Sequence, residues 1–132
     1  MKRSAFCIDR CKHAKTFICV DDGCKVELLN YLMRENVIEE FRLIRTILKE
    51  GLRNREKYCK CDVSDKARNM FEMRFTNNGK NDRIYCQEVH RNGKRFILMA
   101  ELFEGKKSND IPKIIKYRIE TIGGYDYEIK EN

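Results

Sequence analysis

Proline and glycine are scarce in this chain, with one and seven among 132 residues. That scarcity leaves little room for linkers or low-complexity tracts, and no repeat of about 20–50 residues is visible. Long hydrophobic runs are missing too. The longest extends only from Phe96 to Ala100, far short of the roughly 18 residues a membrane span needs. The charged start, MKRSAFCIDR, has no apolar stretch behind it. A secretory signal is therefore not expected, and the predicted location is cytoplasmic with no membrane partner. No GxGxxG, P-loop, GxSxG or HExxH motif occurs, which removes the usual dinucleotide, nucleotide, acyl-transfer and zinc-protease templates. Glu39 and Glu40, a pair of neighbouring carboxylates, are predicted to lie on one exposed helix face.

What the sequence has is positive charge. Lysine and arginine total 28 against 21 acidic residues, a net charge of +7 and a pI near 9.1. The surplus is concentrated: residues 41–60 hold seven basic and two acidic side chains, and residues 91–118 hold eight and three. Such a balance favours an anionic partner, nucleic acid being the commonest. Hydrophobic residues make up 42% and aromatics 10%, enough for a core, so the chain is read as one folded domain over 1–132.

Seven cysteines, at 7, 11, 19, 24, 59, 61 and 86, cannot all pair within one chain, and reduced thiols are expected in a cytoplasmic protein. Cys7, Cys11, Cys19 and Cys24 are the set to weigh for zinc. Their spacings contain no CxxC knuckle, so the expectation is no metal and no cofactor.

Along the chain, residues 1–13 show no period and read as a loose arm. Residues 15–20 (KTFICV) suit a short strand. Apolar residues then recur at helical spacing through Leu28, Leu29, Leu32 and Met33, and again through Val37, Ile38, Phe41, Ile44, Ile47 and Leu48. Gly51 stands where a C-cap glycine belongs. Residues 53–68 read as loop. The period then changes to two, giving strands at 70–75, 83–89 and 94–103, with turns at Asn77-Asn78-Gly79 and His90-Arg91-Asn92-Gly93. Asp110 and Pro112 signal a last helix, and residues 125–129 a short terminal strand. The predicted fold class is α+β: an N-terminal helical hairpin packed on a small twisted antiparallel sheet, with a short C-terminal helix.

Several segments carry a resemblance. Phe71-Glu72-Met73-Arg74 resembles a "YELR" strand, Arg83-Ile84-Tyr85 an "R-V-Y" strand, and residues 96–103 (FILMAELF) an "IVLLHGF" strand. Residues 106–112 (KKSNDIP) resemble a "KKTQKTP" loop, and residues 48–53 (LKEGLR) an "L-E-x-G" helix end. In this order, over residues 17–122, they resemble the RelE/ParE toxin superfamily, in its phage-derived HigB-like branch. Two departures are Ser108 and Asn109, where the branch often has threonines, and the extra residues 1–16. The resemblance implies a RelE-like fold and the toxin of a type II toxin-antitoxin system. It implies an endoribonuclease cutting mRNA on the ribosome, and an antitoxin partner of helix-turn-helix type. Oligomeric state stays open.

Cleavage of that kind uses the substrate's own 2′-hydroxyl as nucleophile. The protein must align the phosphate, stabilise charge on its oxygens and assist proton transfer. Arginine forks suit the phosphate, so Arg74 and Arg83, on neighbouring predicted strands, are the first catalytic candidates. Lys106 and Lys107 in the following loop, and His90 as acid or base, complete the set. Tyr85 is a candidate base-stacking residue; Lys94, Arg95, Arg53 and Arg55 are candidate RNA contacts. Two other readings stay open: a ParE-like gyrase poison, and a relative that binds RNA or protein without cutting.

Overall fold

The computed structural model describes residues 2–9, 15–105 and 111–131. Two strands open the chain, β1 (Lys2–Asp9) and β2 (Thr16–Asp21), followed by α1 (Lys25–Leu32) and α2 (Ile38–Lys49). Then come β3 (Tyr58–Lys60), β4 (Met70–Phe75), β5 (Asp82–Arg91) and β6 (Lys94–Phe103), and finally α3 (Lys113–Gly123) and β7 (Asp126–Lys130). The strands form one sheet in the order β3-β4-β5-β6-β2-β1-β7. It is mixed: β2 runs parallel to β6 and β1 parallel to β7, and the remaining neighbours are antiparallel.

The expected architecture is thereby overturned. The sheet is neither small nor antiparallel, and the helical hairpin follows two strands instead of opening the chain. The reason lies in residues 2–9. Arg3, Ala5 and Cys7 share one face of β1, and charge at the first position hides the alternation. That charge is neutralised inside the fold. Arg3 donates through Nε and Nη2 to both oxygens of Asp21, at 2.8 and 2.6 Å. Asp21 also accepts from Tyr127 Oη at 2.6 Å and from the Gly23 amide at 2.7 Å. One carboxylate thus joins β1, β2, β7 and the turn into α1. A second correction concerns the loop at 53–68, which contains the edge strand β3, paired with β4 from Tyr58↔Met73 to Lys60↔Phe71.

The helices divide between the two faces. On one, α1 and α2 bury Leu28, Leu32, Ile44 and Leu48 against Met73, Phe75, Ile84, Ile97 and Met99. On the other, α3 buries Ile115, Ile119 and Ile122 against Met70, Tyr85 and Ala100. Beside it, Ala5, Cys7, Phe17, Cys19, Phe96, Leu98 and Tyr127 form a separate apolar cluster. Helix ends are satisfied by name. The Gly51 and Leu52 amides return to the Leu48 and Ile47 carbonyls, a Schellman closure with Gly51 at φ 69°. Gln87 Nε2 donates to the Ile122 carbonyl at 2.8 Å and Asn69 Nδ2 to that of Gly123 at 3.0 Å, covering the end of α3. The Asn92-Gly93 turn has both residues at positive φ, as a two-residue hairpin requires.

Glu40 is a third correction. It is 2% exposed, not on a solvated face. It receives Lys57 Nζ at 2.7 Å and the Thr76 amide at 2.9 Å, and the Asn77 amide also points to it. Burial opposes its charge, but these donors prevail and hold its carboxyl below the ordinary range.

Asp21 behaves likewise: burial opposes ionisation, and the bonds from Arg3, Tyr127 and Gly23 outweigh it, lowering the pKa. Asp21→Asn is expected to cost roughly 2–4 kcal/mol at neutral pH, since Arg3 keeps partial access to water. A pKa lowered on folding contributes stability above the unfolded value, about 3.9, and loses it as pH falls through the folded value. Urea titrations of both proteins from pH 7 to 2 check this; a gap that fails to narrow in acid contradicts it.

Candidate nucleic-acid interface

Arg74 and Arg83 are direct cross-strand partners on β4 and β5. Glu72 lies two residues earlier on β4, so its side chain shares their face. Arg74 Nη2 donates to Glu72 Oε1 at 3.1 Å, and Arg83 Nε lies 3.3 Å from Glu72 Oε2. The two guanidinium groups therefore share one carboxylate and leave a net positive charge. They are not equivalent. Arg83 is 5% exposed and also donates to the Asp82 carbonyl at 3.1 Å. Arg74 keeps a third of its side chain in solvent and lines an open cleft of about 380 Å³ with Arg55, Cys59, Lys60 and Asp62. Burial opposes charge on Arg74, but the hydrogen bond and charge of Glu72 prevail and raise its pKa. Arg74 thus faces solvent as a permanent cation, and Arg83 stands as an ion-pair partner beside the carboxylate that orients it, with no hydrogen bond between Arg83 Nε and Glu72 Oε2.

A second cleft, about 280 Å³, adjoins the first and shares Arg55, Cys59 and Lys60 with it. Its walls include Leu52, Arg53, Tyr58, Phe71 and Arg95. Tyr58 and Phe71 stack with ring centroids 5.4 Å apart and planes 4° from parallel. Arg53 and Arg55 are gathered here with Arg95 from β6, which lies 3.9 Å from Glu88 on the same wall. The short edge strand β3 runs between the two clefts, so a basic track with an aromatic wall crosses this end of the sheet.

Other expected residues fall elsewhere. His90 lies on β5 seven residues beyond Arg83, roughly 20 Å away at the strand rise; it is exposed and 3.4 Å from Glu88. Lys94 covers the Phe17 ring and reaches Glu131 at 3.6 Å. Tyr85 is fully buried beneath α3 and offers no surface for a base. Burial raises the pKa of its phenol, whose oxygen has no hydrogen-bond partner among the described residues. Lys106 and Lys107 lie outside the described residues. Gly105, just before them, donates its amide to Asp82 Oδ1 at 2.8 Å. Of the zinc set, Cys11 lies outside the described residues, Cys7 and Cys19 share one face, and Cys24 packs on the other. Among the described residues no group of three potential metal ligands assembles.

Glu72, Lys60 and the Tyr58–Phe71 stack were not singled out from sequence. The Glu-x-Arg spacing of residues 72 and 74 carried a usable signal, since alternation puts both on one face. For Tyr58 and Lys60 a three-residue strand leaves too little periodicity to read. Searches against family models, curated proteins and solved structures each gave no match to this chain.

The geometry sets a contrast. Tyr85→Phe is expected to change stability by under about 0.5 kcal/mol, because the hydroxyl it removes is unpaired. Glu72→Gln is expected to cost about 2–4 kcal/mol, because Arg83 is left buried without its counter-charge. Urea denaturation of the two variants distinguishes them; equal losses would contradict this account of the cluster.

Proposed function

We propose that this protein is an RNA-directed toxin resembling the RelE/HigB interferases, which grips single-stranded mRNA on the ribosome and cuts it under the control of an antitoxin. The observation that carries the reading is Arg74, held by Glu72 beside Arg83, opening onto a cleft in which Arg55 and Lys60 outnumber Asp62. A phosphate in that cleft meets a preoriented guanidinium fork, suited to charge developing on non-bridging oxygens. The strand's flanking nucleotides extend past β3 toward Arg53, Arg95 and the Tyr58–Phe71 stack. In-line attack by the substrate's 2′-hydroxyl then leaves a cyclic phosphate and a free 5′-hydroxyl. Arg74 and its neighbours stabilise charge at the phosphorus.

One observation favours a second reading, a protein that binds RNA without cutting. His90, the side chain expected to move the proton, stands far from Arg74. The experiment that separates them is tightly induced expression in a bacterial host with transcript 5′ ends mapped genome-wide. The expected result is growth arrest with new ends in register with codons. Arg74→Ala, shown to be folded by circular dichroism, is expected to lose about 10²–10³ in cleavage. Arrest without new ends, or full activity in folded Arg74→Ala, would overturn the cleavage reading.

Binding itself is tested by titrating a single-stranded RNA oligonucleotide at several salt concentrations. Affinity is expected to fall steeply with salt, and alanine at Arg55, Lys60 or Arg74 to reduce the logarithmic slope by about 0.7 for each phosphate contact removed. A flat salt response removes the basic track from the argument.

A further inference from the structure

Cys7 and Cys19 stand directly opposite one another on the antiparallel strands β1 and β2. Cross-strand partners have Cα atoms about 4.5–5.5 Å apart, inside the roughly 4.4–6.8 Å that a disulfide spans without moving the backbone. Both side chains are buried, at 3% and 0% exposure, and their sulfurs are 2.8 Å apart. That separation exceeds an S–S bond, about 2.05 Å, by less than about 1 Å. Register, direction and distance all fit the same bond. Among the described residues, Cys24 and Cys86 belong to the opposite face, against the α1–α2 core.

We propose that Cys7 and Cys19 are a redox-responsive pair that closes a cross-strand disulfide by exchange with a small-molecule disulfide such as oxidised glutathione. One cysteine gives up its proton and its thiolate attacks a sulfur of the oxidant. The oxidant's S–S bond breaks, releasing one thiolate and leaving a mixed disulfide. The second cysteine, deprotonated in turn, attacks the protein sulfur of that mixed disulfide and expels the other half of the oxidant. Two protein thiols become one S–S bond, the oxidant becomes two thiols, and the two protons pass to the departing thiolates. Burial raises the Cys19 thiol pKa, so exchange requires β1 to open from the sheet and its rate follows that opening. Once formed, the bond fixes β1 to β2 and, through the β1–β7 pairing, secures the far edge of the sheet. The proposal stands apart from the RNA reading, since the pair lies on strands that contribute nothing to the two clefts.

The test treats the full chain with oxidised glutathione under native conditions, then unfolds it in denaturant containing N-ethylmaleimide to block every remaining thiol, the buried ones included. Digestion with trypsin and a protease that cuts before aspartate separates Cys19 from Cys24. The expected product is peptide 4–8 linked to peptide 16–20, with intact mass lower by two hydrogens and the other five cysteines alkylated. The melting temperature is expected to rise by roughly 10 °C and to fall back on reduction. A Cys7→Ala/Cys19→Ala double variant, checked for native circular dichroism, is expected to show no such rise. Full alkylation of both cysteines after prolonged oxidation of folded protein would overturn the proposal. So would linkage of either one to a different cysteine, or an equal rise in the double variant.

Discussion

Buried carboxylates must be paired, and that constraint organises this structure. Asp21, Glu40, Glu72 and Asp82 are all withdrawn from water, where an uncompensated charge would cost several kcal/mol. Each is compensated by groups from distant segments. Asp21 joins Arg3 to Tyr127. Glu40 joins α2 to Lys57 and the β4–β5 turn. Asp82 accepts from Tyr31 Oη at 2.7 Å and from Gly105. Glu72 holds Arg74 beside Arg83. Hydrophobic burial drives collapse without specifying register; these four knots reward only the pairings in which donor and acceptor meet. Three of them tie a helix, a turn or a terminal strand to the sheet, and the fourth forms the wall of the candidate site.

The same knots explain what could be read in the sequence. Hydrophobic period placed both helices of the hairpin, three central strands, α3 and the last strand close to where they lie. It failed at two places where charge was drawn into the fold. Arg3 made β1 look like a polar arm, and Glu40 looked like one more residue of a solvated helix face. Local pattern treats a charged residue as exposed, whereas a partner 18 residues away, as for Arg3 and Asp21, reverses that assignment. Missing β1 meant missing its pairings with β2 and β7, and hence the far edge of the sheet.

The candidate site was legible to a similar depth. Arg74 and Arg83 do face one another, because strands joined by a short turn fix the register of their side chains. Their inequality was not legible. It depends on Glu72, on the depth of β5 in the sheet, and on the cleft left open beside β3. His90 and Tyr85 illustrate the same limit. Both belong to the strand that carries Arg83, yet one lies near its far end in solvent and the other beneath a helix. Proximity in sequence along a strand separates side chains by about 3.4 Å per residue, so residues grouped by motif need not share a site.

The two edges of the sheet bring these strands of argument together. An exposed edge invites pairing with another chain, and proteins blunt it with short strands and charge. At one edge β7 presents Asp126, Glu128 and Lys130 in alternation, charges of both signs that repel a regular partner strand without favouring either kind of ligand. At the other, β3 is only three residues long, ends in Lys60 and is preceded by Arg55 and Lys57. Lys57 is committed to Glu40, while Arg55 and Lys60 line the clefts. Here the cations outnumber Glu56 and Asp62, and they adjoin Arg74 and an aromatic stack. The residues that keep this edge from adding a strand are therefore the same ones that give it affinity for a polyanion. A protective feature needs only length and charge; the coincidence of excess positive charge, aromatic wall and a guanidinium held by Glu72 is what distinguishes this edge from its counterpart.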